Sequence, residues 1–346
     1  MAPDLRRVIV LGTGGTIASV GMVGEGLGVH PRLAAVALTE AIGEVPSGTT
    51  ITARDVFHKA SPSLTLTDVL AVRDAAAAAI VGGMQGVVVT HGTSSLEECA
   101  YALSLLWGRT EPLVVTGAMR NPTLAGADGP ANVRAAVVAA ASPEVHGVVV
   151  AFDGELWLPR HLRKTHTNST APFESRQTGR IGWISEDRAT VELRPVGTQA
   201  ITLQTGAVIP EIALIAPSLS DTGLLPRLLV DAGVAGVVVE GMGPGHVPDT
   251  WLEPLGDLLA ARVPVVIASR TGAGVVYRSS YGFPGSDMDL AARGLVSSGS
   301  LDGRKARVLL QLLLAAGAGD EWAKPFVALS GTATAQYPPQ AGKELA

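Results

Sequence analysis

The sequence holds a single cysteine, Cys99, among 346 residues. One thiol excludes an internal disulfide framework and suits a reducing compartment. Aromatic residues are 4% of the chain and charged residues 16%, against 47% hydrophobic, which excludes a disordered chain and allows a sizeable core. Positive charge is not in excess: the net charge of −5 argues against a nucleic-acid surface, which needs clustered basic groups. Long apolar runs are missing too, since the run 75–81 falls well short of the ~20 residues of a membrane span. The opening Met1-Ala2-Pro3-Asp4-Leu5-Arg6-Arg7 leads into a short apolar stretch and then glycines, without the longer core and cleavage site of a secretory signal. A cytoplasmic location is therefore expected. The seven histidines are scattered, and no Cys/His cluster has ligand spacing, so no metal or cofactor is expected.

The chain is long for one core and comfortable for two. Short β-branched runs recur at 8–11, 86–90, 112–116, 147–152, 212–216, 236–239 and 264–268, typically followed by turn residues and an alanine-leucine stretch. Continuous apolar strands alternating with helical patterns predict an α/β fold with a parallel sheet covered on both faces. Helices are expected at 67–81, 96–107, 129–141, 223–232, 249–261 and 305–315. From Asp187 to Pro210 the pattern weakens and reads as a connection to a smaller α/β unit. The resulting division is 1–190, a linker at 191–210, and 211–346. The tail from 335, with Pro338-Pro339 and a charged end, is expected to be mobile.

In open parallel sheets ligands sit beyond the carboxyl ends of the strands. Three loops here are rich in hydroxyls or glycine: Leu11-Gly12-Thr13-Gly14-Gly15-Thr16-Ile17-Ala18, Thr90-His91-Gly92-Thr93-Ser94-Ser95-Leu96-Glu97-Glu98, and Arg163-Lys164-Thr165-His166-Thr167-Asn168. The first could be a tight strand-to-helix turn or a dinucleotide fingerprint. The fingerprint needs a third glycine where Ile17 and Ala18 stand, and the acid expected further on is matched only by Glu40. Ser94 and Ser95 read as ordinary helix N-caps, with Glu97 and Glu98 in the first turn. Lysines usually end up solvated at the surface. Only five of the 26 basic residues are lysines, however, and Lys164 sits within one of the three loops. A desolvated lysine can act as a base, which arginine cannot.

Together these segments resemble the two signatures of the bacterial-type L-asparaginase family. The resemblance extends in order through Gly117-Ala118-Met119-Arg120, Ala127-Asp128-Gly129-Pro130-Ala131-Asn132, Lys164-Thr165-His166-Thr167, residues 241–248, Tyr281-Gly282-Phe283-Pro284-Gly285-Ser286 and Lys305-Ala306-Arg307-Val308-Leu309-Leu310. It implies a doubly wound parallel-sheet domain followed by a smaller flavodoxin-like domain. It also implies hydrolysis of the side-chain amide of L-asparagine, with no cofactor, in a homodimer or homotetramer. By the same resemblance Thr16 is the nucleophile, and Thr93 pairs with Lys164, which accepts a proton and activates water. Gly92 with Thr93 contributes oxyanion donors, and Ser61 holds the substrate α-carboxylate. A threonine hydroxyl is a poor nucleophile until a base takes its proton, and no histidine is tied to these blocks in a Ser-His-Asp arrangement.

Departures from the family pattern fall on one feature. The family's lid tyrosine has no counterpart in 19–32, where His30 or Pro31 occupies the region. Its aspartate after the second threonine is Ser94, a glutamine is Pro62, a glutamate is Asp287, and an asparagine is Pro244 or His246. These positions grip the substrate α-ammonium, and only Asp287 keeps a negative charge. Without the aspartate, Lys164 is expected to lose support for its protonated form. Two other readings stay open: a hydrolase of the same fold acting on glutamine or an N-substituted asparagine, and a non-catalytic small-molecule binding protein.

Overall fold

The computed structural model of the chain describes residues 6–21, 29–31, 33–194 and 200–331. The tail from 335 and much of the lid region, residues 22–28 and Arg32, lie outside the described residues. The chain divides into two compact units, Met1–Ile209 and Pro210–Ala346.

In chain order the first unit contains β1 (Arg6–Gly14), β2 (Ser19–Gly21), β3 (Val29–Pro31), α1 (Ala35–Glu40), β4 (Thr49–Lys59), α2 (Leu66–Val81), β5 (Gly86–Thr90) and α3 (Leu96–Leu106). It continues through β6 (Leu113–Thr116), α4 (Gly129–Ala141), β7 (Val148–Phe152), β8 (Glu155–Trp157), β9 (Arg163–Lys164), β10 (Phe173–Glu174), β11 (Gly182–Ser185) and β12 (Arg188–Val191). Eight strands form one sheet, ordered β12-β11-β8-β7-β6-β5-β1-β4. Every residue of β5, Gly-Val-Val-Val-Thr, is buried. Val8 and Val10 of β1 pack with Val133, Ala136 and Val137 of α4, while Ile9 and Leu11, which point the other way, are buried as well. Both faces of the sheet are therefore covered.

The sheet is not parallel throughout. β4, β1, β5, β6 and β7 run parallel, but β8, β11 and β12 join antiparallel. The cause is local: Asp153 and Gly154 both adopt positive φ (50° and 74°), and such a two-residue turn returns the chain as a hairpin. β12 also corrects the reading of Asp187 to Pro210, because its first residues complete the sheet edge rather than forming a connection.

From β1 the chain proceeds to β4 on one side, whereas β5 leads through α3 to β6 on the other. The carboxyl ends of β1 and β5 thus flank the point where the winding reverses, the place where such sheets open a crevice for ligands.

The second unit is a four-stranded parallel sheet in chain order: β13 (Ile212–Ile215), β14 (Gly236–Gly241), β15 (Val265–Ser269) and β16 (Val296–Ser297). Helices α5 (Leu224–Ala232), α6 (Leu252–Ala260), α7 (Asp287–Arg293), α8 (Gly303–Ala315) and α9 (Ala323–Leu329) accompany it. Trp251, Leu255 and Leu258 pack on Val237, Val239, Val265 and Ile267. α8 starts two residues before the expected 305 because Asp302 caps it, accepting from the Lys305 N–H at 3.1 Å. Among the described residues no helix is long and apolar enough to cross a membrane.

Candidate active site

Two glycines bring the first two loops into contact. Gly15 has φ 82°, a conformation that L side chains rarely adopt. A Cβ placed on it would lie 2.4 Å from both Cα and N of Gly92. A Cβ on Gly92 would in turn lie 2.5 Å from Ser61 Oγ. Gly15, Gly92 and Ser61 are therefore stacked at a spacing that only glycine at the first two positions permits. The strand ends are tied as well: Thr13 Oγ1 donates to the Thr90 carbonyl at 2.8 Å. Thr16 follows this contact at the start of a single 3₁₀ turn and is half-buried. The Ala18 N–H and the Ser19 hydroxyl both donate to the Gly15 carbonyl, at 3.1 and 2.7 Å, which fixes the turn.

The third segment arrives on a small hairpin. β9 pairs antiparallel with β10, with Lys164 opposite Phe173, and Thr165 N–H donates to the Pro172 carbonyl at 2.8 Å. The hairpin carries Lys164 to Thr93, and Lys164 Nζ donates to Thr93 Oγ1 at 2.8 Å. Burial holds the lysine below its ordinary pKa, and the nearby Glu97 carboxylate acts against that shift. Direct nitrogen-to-hydroxyl contact with a lysine inclined to lose its proton is an arrangement suited to moving protons to and from a hydroxyl.

His91 is not a competing base. Its Nδ1 donates to the Gly92 carbonyl at 2.8 Å, its Nε2 is buried without a partner, and burial lowers its pKa to about 4. It is a neutral core imidazole at neutral pH. Cys99 is no nucleophile either, since burial raises its thiol to about 12.

One expectation is corrected here. Ser95 occupies the N-cap of α3 but makes no side-chain cap bond; its hydroxyl donates instead to the Ser61 carbonyl at 2.7 Å. It thus ties the second loop to the Ser61 turn. Glu97 lies in the first turn of α3 as expected, is 1% exposed, and accepts the backbone N–H of Lys164. Sequence reasoning passed over it because a glutamate at that helical position is unremarkable.

Ser61 is buried, while Pro62 and Ser94 beside it are exposed. Asp287 belongs to the second unit. Its carboxylate is fully buried and accepts from the backbone N–H groups of Ser280 (2.8 Å) and Tyr281 (3.0 Å), with His246 Nε2 at 3.5 Å. The Pro244 carbonyl accepts from the Tyr277 N–H at 3.0 Å. His30 lies exposed on β3, across from Val20. Among the described residues no group of three or more His, Cys, Asp or Glu is placed to hold a metal ion.

A winding reversal that gathers two hydroxyl-rich loops, with a lysine bonded to a threonine of one of them, gives this α/β protein a candidate site for proton transfer at a hydroxyl. Residues 7–197 match the family described as Asparaginase, N-terminal, and residues 212–324 match the Glutaminase/Asparaginase C-terminal domain. An L-asparaginase of Bacillus licheniformis is 32% identical over 317 residues, covering 90% of this chain and 96% of that one. A probable periplasmic L-asparaginase of Haemophilus influenzae is 32% identical, with 90% of each chain covered. The crystal structure of a probable cytoplasmic L-asparaginase from Campylobacter jejuni superposes with a TM-score of 0.84 at 28% identity, covering 93% of this chain and 99% of that one. The chain belongs to the asparaginase family.

Proposed function

We propose that the chain hydrolyses the side-chain amide of L-asparagine to L-aspartate and ammonia through a threonine acyl-enzyme. The observation that carries this reading is the 2.8 Å bond from Lys164 Nζ to Thr93 Oγ1, in the loop whose Gly92 packs on Gly15, the residue before Thr16. Thr16 Oγ1 attacks the amide carbon, its proton passes to the amide nitrogen as the C–N bond breaks, and ammonia leaves behind an ester. Water then attacks the ester and gives a proton to Lys164 through Thr93; the ester C–O bond breaks, the proton returns to Thr16 Oγ1, and aspartate departs. Backbone donors at Gly92 and Thr93 stabilise the oxyanion of both tetrahedral species, the contribution usually largest in acyl transfer. Ser61, against Gly92, receives the α-carboxylate. Ammonia release from asparagine, glutamine and N-substituted asparagines tests the reading, with Thr16→Ala as control. Loss of all turnover in a folded Thr16→Ala protein is expected, and full retention overturns the threonine mechanism.

A second reading, a related amide as the preferred substrate, is favoured by Pro62 and Ser94 at positions where the family carries ammonium-binding side chains. The enzyme is further read as a homo-oligomer whose Asp287 serves a neighbouring site. Light scattering with activity followed across a dilution series tests this, and an active monomer at nanomolar concentration overturns it. A cytoplasmic location accords with the lone buried cysteine, and fractionation of the native host decides it.

A further inference from the structure

We infer that Glu97 is a positioning residue for the proposed reaction: its buried carboxylate grips the backbone of Lys164, aims the lysine at Thr93, and supplies the negative charge that Ser94 does not. The inference rests on the reading of Lys164 as the base. Lys164 is held at both ends by one short stretch of chain. Thr93 accepts from its Nζ at 2.8 Å, and Glu97, four residues further along, accepts from its backbone N–H. β9 is only two residues long, so the hairpin pairing alone gives the lysine few anchors. A hydrogen bond from its own peptide N–H to a fixed side chain on α3 sets where the side chain begins, and Thr93 sets where it ends. Glu97 is 1% exposed, and its Oε2 accepts the backbone N–H of Lys164.

The charge matters as well as the bond. The charged groups on the elements around Lys164 are Glu97 and Glu98 on α3, Arg163 beside it, and Glu174 across the hairpin from Arg163. Of these, Glu97 is the one whose charge raises the lysine, opposing the larger lowering by burial. Ser94, the nearest residue in sequence to Thr93 on that side, is neutral and exposed.

Three variants separate bond from charge. Glu97→Gln keeps an acceptor and removes the charge, Glu97→Asp withdraws the carboxylate by one methylene, and Glu97→Ala removes both. With neutral Lys164 as the active form, kcat/KM for asparagine rises with pH as the lysine deprotonates. Removing the negative charge makes deprotonation easier, so the acid limb of Glu97→Gln moves to lower pH while kcat falls only severalfold. Glu97→Ala loses roughly tenfold to a hundredfold in kcat with little change in KM, because the base is misplaced while the substrate contacts stay. A merely structural glutamate would lower thermal stability and kcat in all three variants and leave the limb where it was; that pattern overturns the inference. Should Glu97→Gln fail to fold, Glu97→Asp carries the test: its limb moves the same way, and an unmoved limb overturns the inference. Lys164→Met distinguishes the two levels. If it keeps activity, the base reading itself fails, and with it the role of Glu97. If it is inactive while the Glu97 variants keep the unaltered profile, the role of Glu97 alone fails.

Discussion

Lys164 Nζ lies 2.8 Å from Thr93 Oγ1 although 71 residues separate them in the chain. The contact exists because β9 delivers the lysine to the loop after β5, and it makes the two residues one chemical unit. Lys164→Met and Thr93→Val are each expected to lower kcat by roughly a hundredfold or more, as for loss of a base or of the group it acts through. Since each depends on the other, the double variant should be little worse than either single one. Ammonia-release kinetics on the three proteins check this, and losses that multiply would place the residues in separate steps.

The stacking of Gly15, Gly92 and Ser61 makes a second expectation. An alanine Cβ at position 92 would stand 2.5 Å from Ser61 Oγ and 2.7 Å from Ser61 Cβ. Gly92→Ala should cost about 1–3 kcal/mol of stability, the usual range for overpacking. It should also raise KM by displacing the proposed carboxylate contact. Adding Ser61→Gly removes the clashing atoms and should recover much of the stability but none of the KM. Denaturant titrations of the single and double variants measure the coupling; strictly additive stability losses would mean that the two positions do not press on one another.

Much of this arrangement is legible in the chain, and the unreadable parts have physical reasons. β5 is a five-residue run buried on both faces, and its bounds follow directly from its composition. α4 begins at Gly129-Pro130, where proline is tolerated and a helix is free to start. β4 escapes the same reading because Thr-Thr-Ile-Thr-Ala-Arg-Asp-Val-Phe-His-Lys alternates between half-buried and exposed along the sheet edge. β12 escapes because it is short and only Ala189 in it is buried. At the site, Thr16, Gly92, Thr93 and Lys164 carry a local pattern. Glu97 does not, since a first-turn glutamate looks the same whether it faces water or a neighbouring backbone, and only the arrival of β9 decides which. The sequence likewise suggests Ser95 as a cap, and the distant Ser61 carbonyl claims its hydroxyl instead.

His91 makes stability depend on acidity. Its folded pKa of about 4 lies below the ordinary 6.5, so between those values the unfolded chain binds a proton that the folded chain refuses. Stability from this group is complete above the unfolded value and is lost as pH falls towards the folded one, at no more than about 1.4 kcal/mol per pH unit. Chemical denaturation of the unaltered protein and of His91→Gln from pH 4 to 7 measures the effect. The advantage of histidine over glutamine should grow with pH across that window and level off above it. A difference that stays constant would mean the imidazole is solvated in the folded protein.

The expected substrate preference follows from the residues at the four positions that resemble the family's ammonium-binding ones. Pro62 and Ser94 carry no charge and are exposed, Pro244 carries none, and the Asp287 carboxylate already accepts two backbone N–H groups. Ser61, buried against Gly92, leaves the carboxylate contact in place. A site with this balance gains little from a free α-ammonium and leaves few polar partners unsatisfied when the ammonium is absent. Asparagine and succinamic acid, which lacks the amino group, should therefore be turned over with similar kcat/KM. Ser94→Asp places a carboxylate next to Thr93 and should raise kcat/KM for asparagine relative to succinamic acid. The same carboxylate should move the acid limb of the pH profile upward, because it favours protonated Lys164. Both substrates are measured on both proteins across that pH range. If the unaltered enzyme already prefers asparagine by about a thousandfold, roughly 4 kcal/mol of discrimination, then other groups bind the ammonium and the four substituted positions do not set specificity.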